Sequence, residues 1–394
     1  MNKQRLSVLS DMMNRAVDRG ECAGVQAMVI KAGQEEYHGL AGMADRESNR
    51  PMTRDAIFRM YSSSKCVTGL AAVMCIERGL LSLRAPVAEY LPGFQDQSYW
   101  DGEKLVPCGN SMVVRNLLNM TAGLCYPYGE SPAEKATAAV VGKMNEKAEK
   151  GTFTPTVDFA NQIGKCPLDF ATGDHWQYSF CADVTGALIE VVSGMRFSEF
   201  LRREIFEPLG MKDTGFCVNA AQRARMATTY IRTKGSEMAP YKEAGLALGL
   251  RDYDERTAFE SGGAGLVSTI DDWAQLMRLF QSNGTLNGHR FLSPAAMKFF
   301  QAPQLSKKQA RTFNLQDCID QNYANFMSIK VAEGPTNNFC NVGTFGWDGW
   351  LGTNSFVDPV EKLSLIVMVQ HLPSFTPRCL TWAMRPPVYA ALDD

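Results

Sequence analysis

Residues 58–79 read FRMYSSSKCVTGLAAVMCIERG and place three serines and a lysine directly before an apolar helical segment. Residues three apart in a helix share a face, so the amine of Lys65 is expected beside the hydroxyl of Ser62. An oxygen that acquires negative charge is stabilised at a helix N-terminus, because the backbone N–H groups there have no helical partner. The spacing therefore predicts a serine nucleophile, Ser62, with Lys65 as its neighbour.

A purely structural explanation of the same cluster stays open. Ser63 and Ser64 face elsewhere, and all three serines could serve as helix caps beside a solvated lysine. The S-x-x-K pattern is a weak signal by itself, since roughly one or two occurrences are expected by chance in a chain of this length. The apolar context favours the catalytic interpretation, because burying a lysine at the front of a core helix is costly unless its amine has polar partners.

Other common nucleophile and phosphate-binding motifs do not occur in the sequence. G-x-S-x-G, H-E-x-x-H, G-x-x-x-x-G-K-[ST] and G-x-G-x-x-G are all absent. The four histidines are His38, His175, His289 and His371. A Ser-His-Asp triad with one of them stays open, although none stands in a recognisable motif. A serine enzyme without histidine needs another base, for which lysine and tyrosine are the candidates.

The composition is that of an ordinary globular protein. Of the 394 residues, 45% are hydrophobic and 21% are charged, and the formal net charge is -2. A chain of this length predicts two packed units. Basic and acidic residues alternate along most of the chain, so a phosphate-binding surface and a nucleic-acid partner are not expected.

The sequence shows no targeting, membrane or metal-binding pattern. Asp11, Arg15 and Asp18 interrupt the apolar residues near the N-terminus, which predict an amphipathic helix rather than a secretory signal. No apolar run is long enough to span a bilayer. The 11 cysteines are odd in number and include no pair with zinc-binding spacing, so we expect reduced, mostly buried thiols. These patterns predict a cytoplasmic protein with no metal, no cofactor and no membrane partner, and they carry no information on its oligomeric state.

Strand patterns occur near both ends of the chain. GVQAMVIK at 24–31 and EYHGLAGM at 36–43 flank the turn sequence AGQE, which predicts a β-hairpin. LGTNSFVD at 351–358 and LSLIVMVQ at 363–370 flank PVEK in the same way. Each end of the chain therefore contributes one predicted hairpin.

Helical patterns fill most of the region between these hairpins. SPAEKATAAVVGKMNEKAEKG at 131–151 begins with a capping box, and TIDDWAQLMRLFQSNG at 269–284 begins with a threonine cap. The stretches 94–112 and 303–342 follow neither period and predict long, irregular loops that could border a binding site. The predicted architecture is one sheet assembled from both chain ends, with a helical region inserted between them.

Five segments that span nearly the whole chain carry a family resemblance. They are GLAGMADRESNRPMTRDAIFRMYSSSK, LLSLRAPVAEYLPGF, VRNLLNMTAGL, HWQYSFCADVTGALIEVVSGMRFSEFLRREIFEPLGMKDTGF and GGAGLVSTIDDWAQLMRLF. Their order and spacing resemble the serine β-lactamase and penicillin-recognising superfamily, in particular the branch with class C β-lactamases, family VIII carboxylesterases and related acyltransferases. No single segment is decisive, but the set is highly specific.

The resemblance implies an α+β fold of the β-lactamase/transpeptidase type. One α/β domain, with a central antiparallel sheet flanked by helices, would comprise residues 1–80 and 255–394. A mainly helical inserted domain would comprise residues 81–254. The active site would lie between the two domains.

The resemblance also implies catalytic roles. Ser62 matches the acylated serine, and Lys65 matches the lysine of S-x-x-K. Tyr178 in YSF matches the tyrosine of the Y-x-N or Y-x-S motif, with Phe180 at its third position. Either Tyr178, kept partly deprotonated by the Lys65 cation, or Lys65 itself in neutral form would take the serine proton. Strongly coupled groups titrate as a pair, so both assignments stay open.

The motif WDG at 347–349 matches the segment that reads K-T-G in lactamases and H-x-G or W-x-G in the esterase branch. The backbone N–H of Trp350, with that of the serine, would form the oxyanion hole, and Trp347, Gly349 and Phe180 would bind substrate. Trp347 has no charge to attract a carboxylate, and Phe180 cannot hydrogen-bond an amide as asparagine does. These departures favour an ester with an apolar acyl or alcohol group. The alternative that Trp347 and Phe180 are ordinary core residues stays open.

The predicted function is a serine hydrolase that forms an acyl-enzyme with a small-molecule carboxylic ester. Three alternatives stay open: an acyltransferase that uses the same acyl-enzyme, a β-lactamase or D-amino-acid peptidase, and a catalytically inactive binding protein. A cytoplasmic location argues against a cell-wall substrate. The acceptor that releases the acyl group decides between hydrolase and transferase.

Overall fold

The computed structural model of the chain describes residues 1–232, 237–241, 257–313, 320–334, 339–373 and 375–392. The predicted domain boundary between residues 254 and 255 lies outside these ranges, and the division into two domains stays a prediction. Among the helices in these ranges, none has the length and apolar character that a bilayer-spanning helix requires.

The strands of the described residues are short except for those near the two chain ends. In chain order they are β1 (Gly24–Lys31), β2 (Gln34–Asp45), β3 (Arg50–Pro51), β4 (Phe58–Arg59), β5 (Ser98–Trp100), β6 (Leu105–Pro107), β7 (Tyr230–Arg232), β8 (Met238–Pro240), β9 (Val267–Ser268), β10 (Thr285–Leu286), β11 (His289–Arg290), β12 (Gln321–Ala324), β13 (Met327–Lys330), β14 (Phe345–Asp348), β15 (Asn354–Asp358), β16 (Leu363–Val369) and β17 (His371–Leu372).

The helices lie at both ends of the chain and between the hairpins. They are α1 (Lys3–Leu6), α2 (Val8–Asp18), α3 (Ser64–Glu77), α4 (Val114–Leu118), α5 (Pro132–Glu149), α6 (Thr156–Gly164), α7 (Cys181–Ser193), α8 (Phe197–Leu201), α9 (Glu207–Leu209), α10 (Ala220–Arg223), α11 (Ile270–Gln281), α12 (Pro294–Phe300), α13 (Lys307–Ala310) and α14 (Phe375–Ala390). A π-helical turn, Arg202–Phe206, joins α8 to α9.

The central sheet is antiparallel and is built from both ends of the chain. It has 8 strands in the order β12-β13-β14-β15-β16-β1-β2-β3. β1 and β16 lie side by side from the Val25–Val369 pair to the Lys31–Leu363 pair. The predicted fold class is therefore confirmed, including the assembly of one sheet from the two termini.

Both predicted hairpins are present. β1 and β2 are joined through Ala32 and Gly33, both with positive φ, 50° and 79°. A two-residue turn of this kind matches the twist of the flanking strands. β15 and β16 pair across residues 359–362. The hairpins form where apolar runs flank short turn sequences.

The two faces of β1 pack against different helices. Val25, Ala27 and Val29 belong to the apolar cluster that includes α2 and α14. Met28 and Ile30 belong to the larger cluster that includes α11 and α3. Side chains alternate between faces along a strand, so a continuous apolar run is expected when both faces are covered.

The predicted helix starts are confirmed in detail. The side chain of Ser131 accepts a hydrogen bond from the backbone N–H of Glu134 in a capping box, and Pro132 opens α5. The Thr269 side chain accepts from the N–H of Asp272 at the start of α11. The N-terminal amphipathic segment forms two helices, α1 and α2, which meet at Ser7.

The prediction of an irregular loop at 303–342 was wrong. This stretch contains α13 and two strands of the central sheet, β12 and β13. Each strand has only 4 residues, and the pair turns tightly at Asn325 and Phe326, which both have positive φ. Segments this short show too few alternations for a period to be recognised. The other predicted loop, 94–112, contains the small hairpin of β5 and β6.

Candidate active site

Ser62 lies on a tight turn directly before α3. The turn is a 3-10 helix, Tyr61–Ser63, and Ser62 is half-buried there. Tyr61 has a φ of 43°, in the left-handed region that residues other than glycine rarely adopt. This unusual backbone turns the chain so that the serine stands at the N-terminal end of a buried helix, where negative charge is stabilised.

Ser63 and Ser64 tie this turn to other parts of the chain. The Ser63 hydroxyl lies 3.0 Å from the Thr353 hydroxyl, and the Ser64 hydroxyl accepts a hydrogen bond of 3.1 Å from the N–H of Leu266. Ser63 occupies the N-cap position but makes no side-chain capping bond to α3. The structure therefore does not support the explanation that these serines serve only as caps.

Lys65 is fully buried and makes three contacts through its amine. Nζ donates to Ser62 Oγ over 3.1 Å, to the Gly263 carbonyl over 2.7 Å and to the Tyr126 hydroxyl over 3.4 Å. An ammonium has three protons, and a buried one is costly unless they are all satisfied. The expected proximity of Ser62 and Lys65 is present.

Tyr178 lies over the amine of Lys65. Lys65 Nζ is 4.6 Å from the centroid of the Tyr178 ring, within the range of a cation–π contact. The Tyr178 hydroxyl accepts a hydrogen bond of 3.1 Å from Trp347 Nε1. In the described part of the chain it makes no hydrogen bond to Ser62, and catalytic contacts often tighten only when substrate binds. The three residues therefore meet at one place.

Tyr126 was not assigned a role from the sequence, although its hydroxyl contacts Lys65. Burial raises the pKa of the Tyr126 phenol well above its ordinary value, so it remains a neutral phenol. Its ring lies 4.5 Å from that of Phe180 and 5.6 Å from those of Tyr178 and Tyr128. The one sequence feature that could have pointed to Tyr126 is its position two residues after the family-like segment VRNLLNMTAGL.

The turn after β14 packs directly against the Ser62 turn. A Cβ at Gly349 would overlap the carbonyl oxygen of Met60 and the hydroxyl of Thr353, so only glycine allows this approach. The Thr353 hydroxyl also donates to the Met60 carbonyl over 3.2 Å. Within the described residues, the N–H groups of Ser62 and Trp350 do not donate to backbone carbonyls outside regular helices and strands.

The aromatic residues predicted to bind substrate have different environments. Trp347 is half-buried, and its ring centroid lies 5.7 Å from that of Tyr178. Trp350 is 38% exposed and packs edge-on against Tyr61 at 5.3 Å. Phe180 is only 2% exposed and lies behind Tyr126, against which it packs edge-on. Phe180 therefore supports the site by packing against the ring of Tyr126.

No histidine contacts Ser62 among the described residues. His38 lies 3.3 Å from the Gln26 side chain, and His175 pairs with Asp174. His371 is buried on β17, and burial lowers the pKa of its imidazole to about 4. The partner of the serine hydroxyl is an amine, so the structure gives no support to a Ser-His-Asp triad.

Comparison with known proteins places the chain in a family. The β-lactamase family model matches residues 9–385. Esterase EstB of Burkholderia gladioli is 27% identical, over 97% of this chain and 94% of that protein. Lovastatin esterase of Penicillium rubens is 27% identical over 72% of this chain and 69% of that protein. The solved structure of EstCE1, described as a hydrolase with promiscuous acyltransferase activity, has a TM-score of 0.81 at 25% identity and covers 98% of this chain and 99% of its own.

Proposed function

The chain belongs to the β-lactamase family, and we propose that it is a serine hydrolase that acts on carboxylic esters through an acyl-enzyme. The observation that carries the proposal is the hydrogen bond between the buried amine of Lys65 and the half-buried hydroxyl of Ser62. The similarity to proteins named as esterases supports the ester as the substrate class.

The first step transfers the acyl group to Ser62. As the serine oxygen attacks the ester carbonyl, its proton passes to Tyr178 or Lys65, and the carbonyl oxygen becomes an anion. The N–H groups of Ser62 and Trp350 are the proposed donors to this oxyanion, and each such donor is worth on the order of 3 kcal/mol in hydrolases. The alcohol then leaves with a proton from the same pair, which completes the acyl-enzyme.

The second step releases the acyl group. A water molecule attacks the acyl-enzyme carbonyl and gives its proton to the same base, and Ser62 regains a proton as the carboxylic acid leaves. An alcohol or amine in place of water makes the protein an acyltransferase. Product analysis with a competing alcohol separates these two outcomes.

The side chains around the nucleophile support an apolar substrate. Tyr128 is 71% exposed and stacks on Tyr126 with the ring centroids 5.6 Å apart. On the side of Tyr61, Trp350 exposes 38% of its surface. Exposed aromatic rings beside a nucleophile suit the apolar acyl or alcohol part of an ester. Because Trp347 replaces the lysine of K-T-G, we expect weak activity at most toward a chromogenic cephalosporin.

A fluorophosphonate probe tests the proposal directly. Serine oxygen displaces fluoride from phosphorus, so the native protein is expected to gain one probe mass that maps to the peptide with Ser62. Ser62→Ala is expected to gain none and to lose more than about 1000-fold of its activity toward p-nitrophenyl esters. Ser63→Ala is the matched control and is expected to keep the adduct. An unlabelled native protein, or the same adduct on Ser62→Ala, would contradict the proposal.

A small-molecule ester is the proposed partner at this site. The cytoplasmic location and the lack of a nucleic-acid or membrane partner stay predictions from composition and pattern. Fractionation of cells that express the tagged full chain tests the location.

A further inference from the structure

Asp183 is a buried carboxyl group that the proposed mechanism does not use. It lies in the first turn of α7 with 1% of its surface exposed. Its Oδ1 accepts a hydrogen bond of 2.5 Å from the Ser261 hydroxyl and one of 3.2 Å from the N–H of Gly263. A buried carboxylate is costly unless it is hydrogen-bonded and lies near positive charge.

Gly263 connects this carboxyl group to Lys65. Its N–H donates to Asp183, and its carbonyl accepts from Lys65 Nζ over 2.7 Å. A Cβ at Gly263 would lie 2.6 Å from Asp183 Oδ2 and 3.4 Å from Lys65 Nζ. The second carboxylate oxygen and the ammonium therefore flank one α-carbon, and the absence of a side chain there lets them approach.

Two further contacts hold this segment against α3. The Thr68 hydroxyl donates to the Gly262 carbonyl over 2.7 Å, and the Ser64 hydroxyl accepts from the N–H of Leu266. Asp183 supplies the anchor on the α7 side of the same segment. The carbonyl that binds Lys65 is therefore fixed from two helices.

We infer that Asp183 is a positioning residue for the Ser62–Lys65 pair: it anchors the Gly263 segment whose carbonyl accepts from the amine, and it places a carboxyl group beside that amine. This inference rests on the proposed function for its effect on catalysis. The link between Asp183 and Lys65 through Gly263 is independent of that function. Asp183 does not touch the serine and acts only through Lys65.

Burial disfavours ionisation of one phenol and two thiols near Lys65. Burial raises the pKa of Tyr126 well above its ordinary value and the pKa values of Cys66 and Cys181 to about 12. Burial also raises the pKa of Asp183, while the Ser261 hydrogen bond and the charge of Lys65 oppose that rise. The groups facing Lys65 are Tyr126, Tyr178, Cys181 and Asp183, with Cys66 next to it and Asp348 of β14 facing Cys66.

The pH profile of Asp183→Asn tests the electrostatic part. The substitution keeps the shape and removes a carboxyl group that favours positive charge in the Ser62–Lys65 site. We expect the basic limb of kcat/KM for p-nitrophenyl acetate to move about 1 to 2 pH units downward. Ser261→Ala is the control: it removes a hydrogen bond, keeps the charge, and is expected to lower kcat without moving either limb. An unmoved profile in Asp183→Asn, or a movement of the acidic limb alone, would overturn the inference.

A stability measurement tests the pair without any assay of activity. Urea unfolding is compared for the native chain, Asp183→Asn, Lys65→Met and the double variant. Asp183→Asn is expected to lower the folding equilibrium constant at least tenfold more in the native chain than in Lys65→Met, because only the native chain then keeps a buried amine without the neighbouring carboxyl group. Equal effects in the two backgrounds would refute the pairing.

The two measurements separate failure of the inference from failure of the proposed function. A chain that shows the stability coupling but hydrolyses no ester would refute the function and retain the pairing. If Asp183→Asn does not fold alone, recovery of folding in the double variant is the expected result, and failure of both to fold counts against the pairing.

Discussion

The indole Nε1 of Trp347 donates a hydrogen bond of 3.1 Å to the hydroxyl of Tyr178. This bond fixes the phenol from the side of β14, while Lys65 lies under its ring. Trp347→Phe keeps an aromatic ring and removes the donor, and we expect kcat for p-nitrophenyl acetate to fall about tenfold with little change in KM. The same substitution in a Tyr178→Phe background is expected to add almost nothing. Equal losses in both backgrounds would show that the bond does not act through Tyr178.

Tyr126 allows a test of the second phenol near Lys65. Tyr126→Phe removes the hydroxyl 3.4 Å from the amine and keeps the ring that packs on Phe180. We expect kcat/KM to fall about three- to tenfold and the midpoint of urea unfolding to fall as well, because the buried amine loses one of its three acceptors. Tyr128→Phe is the matched control and should change activity less than twofold. Equal losses in the two variants would contradict a role for the Tyr126 hydroxyl.

Tyr128 is expected to influence substrate choice rather than chemistry. Its side chain is 71% exposed, so Tyr128→Ala should change the free energy of unfolding by less than about 0.5 kcal/mol. Loss of the stacking surface is expected to raise KM for p-nitrophenyl benzoate about fivefold while KM for the acetate stays near its native value. The measurement is a steady-state comparison of the two esters. A parallel rise for both esters would exclude selective contact with the aromatic acyl group.

Gly349 is expected to tolerate no side chain. In Gly349→Ala the new methyl would overlap the carbonyl oxygen of Met60 and force the turn of the proposed oxyanion donor away from Ser62. We expect kcat/KM to fall at least about 100-fold, in the range measured for loss of an oxyanion donor. Gly142→Ala, on α5 with open space around its Cβ position, is the control. It should raise stability by up to about 1 kcal/mol and leave activity unchanged.

The buried imidazole of His371 is expected to make the fold sensitive to acid. Its pKa is about 4 in the folded chain and about 6.5 when unfolded, so the unfolded chain binds more protons between these values. Stability is therefore full above pH 6.5 and falls as the pH is lowered toward 4. In His371→Leu the loss of unfolding free energy between pH 7 and pH 5 is expected to be smaller by on the order of 1 kcal/mol. Urea unfolding at both pH values measures it, and an unchanged difference would contradict the assignment.

The features that the sequence predicted well depend on local spacing. Ser62 and Lys65 are three residues apart, so their contact follows from helical geometry once the helix start is known. The hairpin of β1 and β2 and the caps of α5 and α11 are equally local. For such features the chain itself brings the partners together.

The features that were missed depend on contacts between distant residues. Tyr126 reaches Lys65 across 61 positions and Gly263 across 198, so neither spacing nor periodicity could point to them. Asp183 stands in a mostly apolar helix, and its position there gives no sign of its partner. The packing of α3 against α7 brings Asp183 close to the amine.

The pairing of β1 with β16 has a consequence for folding during synthesis. The strand that starts at Gly24 leaves the ribosome long before its neighbour, which ends at Val369. Until β16 has been synthesised, one edge of β1 has no partner strand and can associate with other chains. We therefore expect the sheet to close slowly, because its central pairing joins distant parts of the chain.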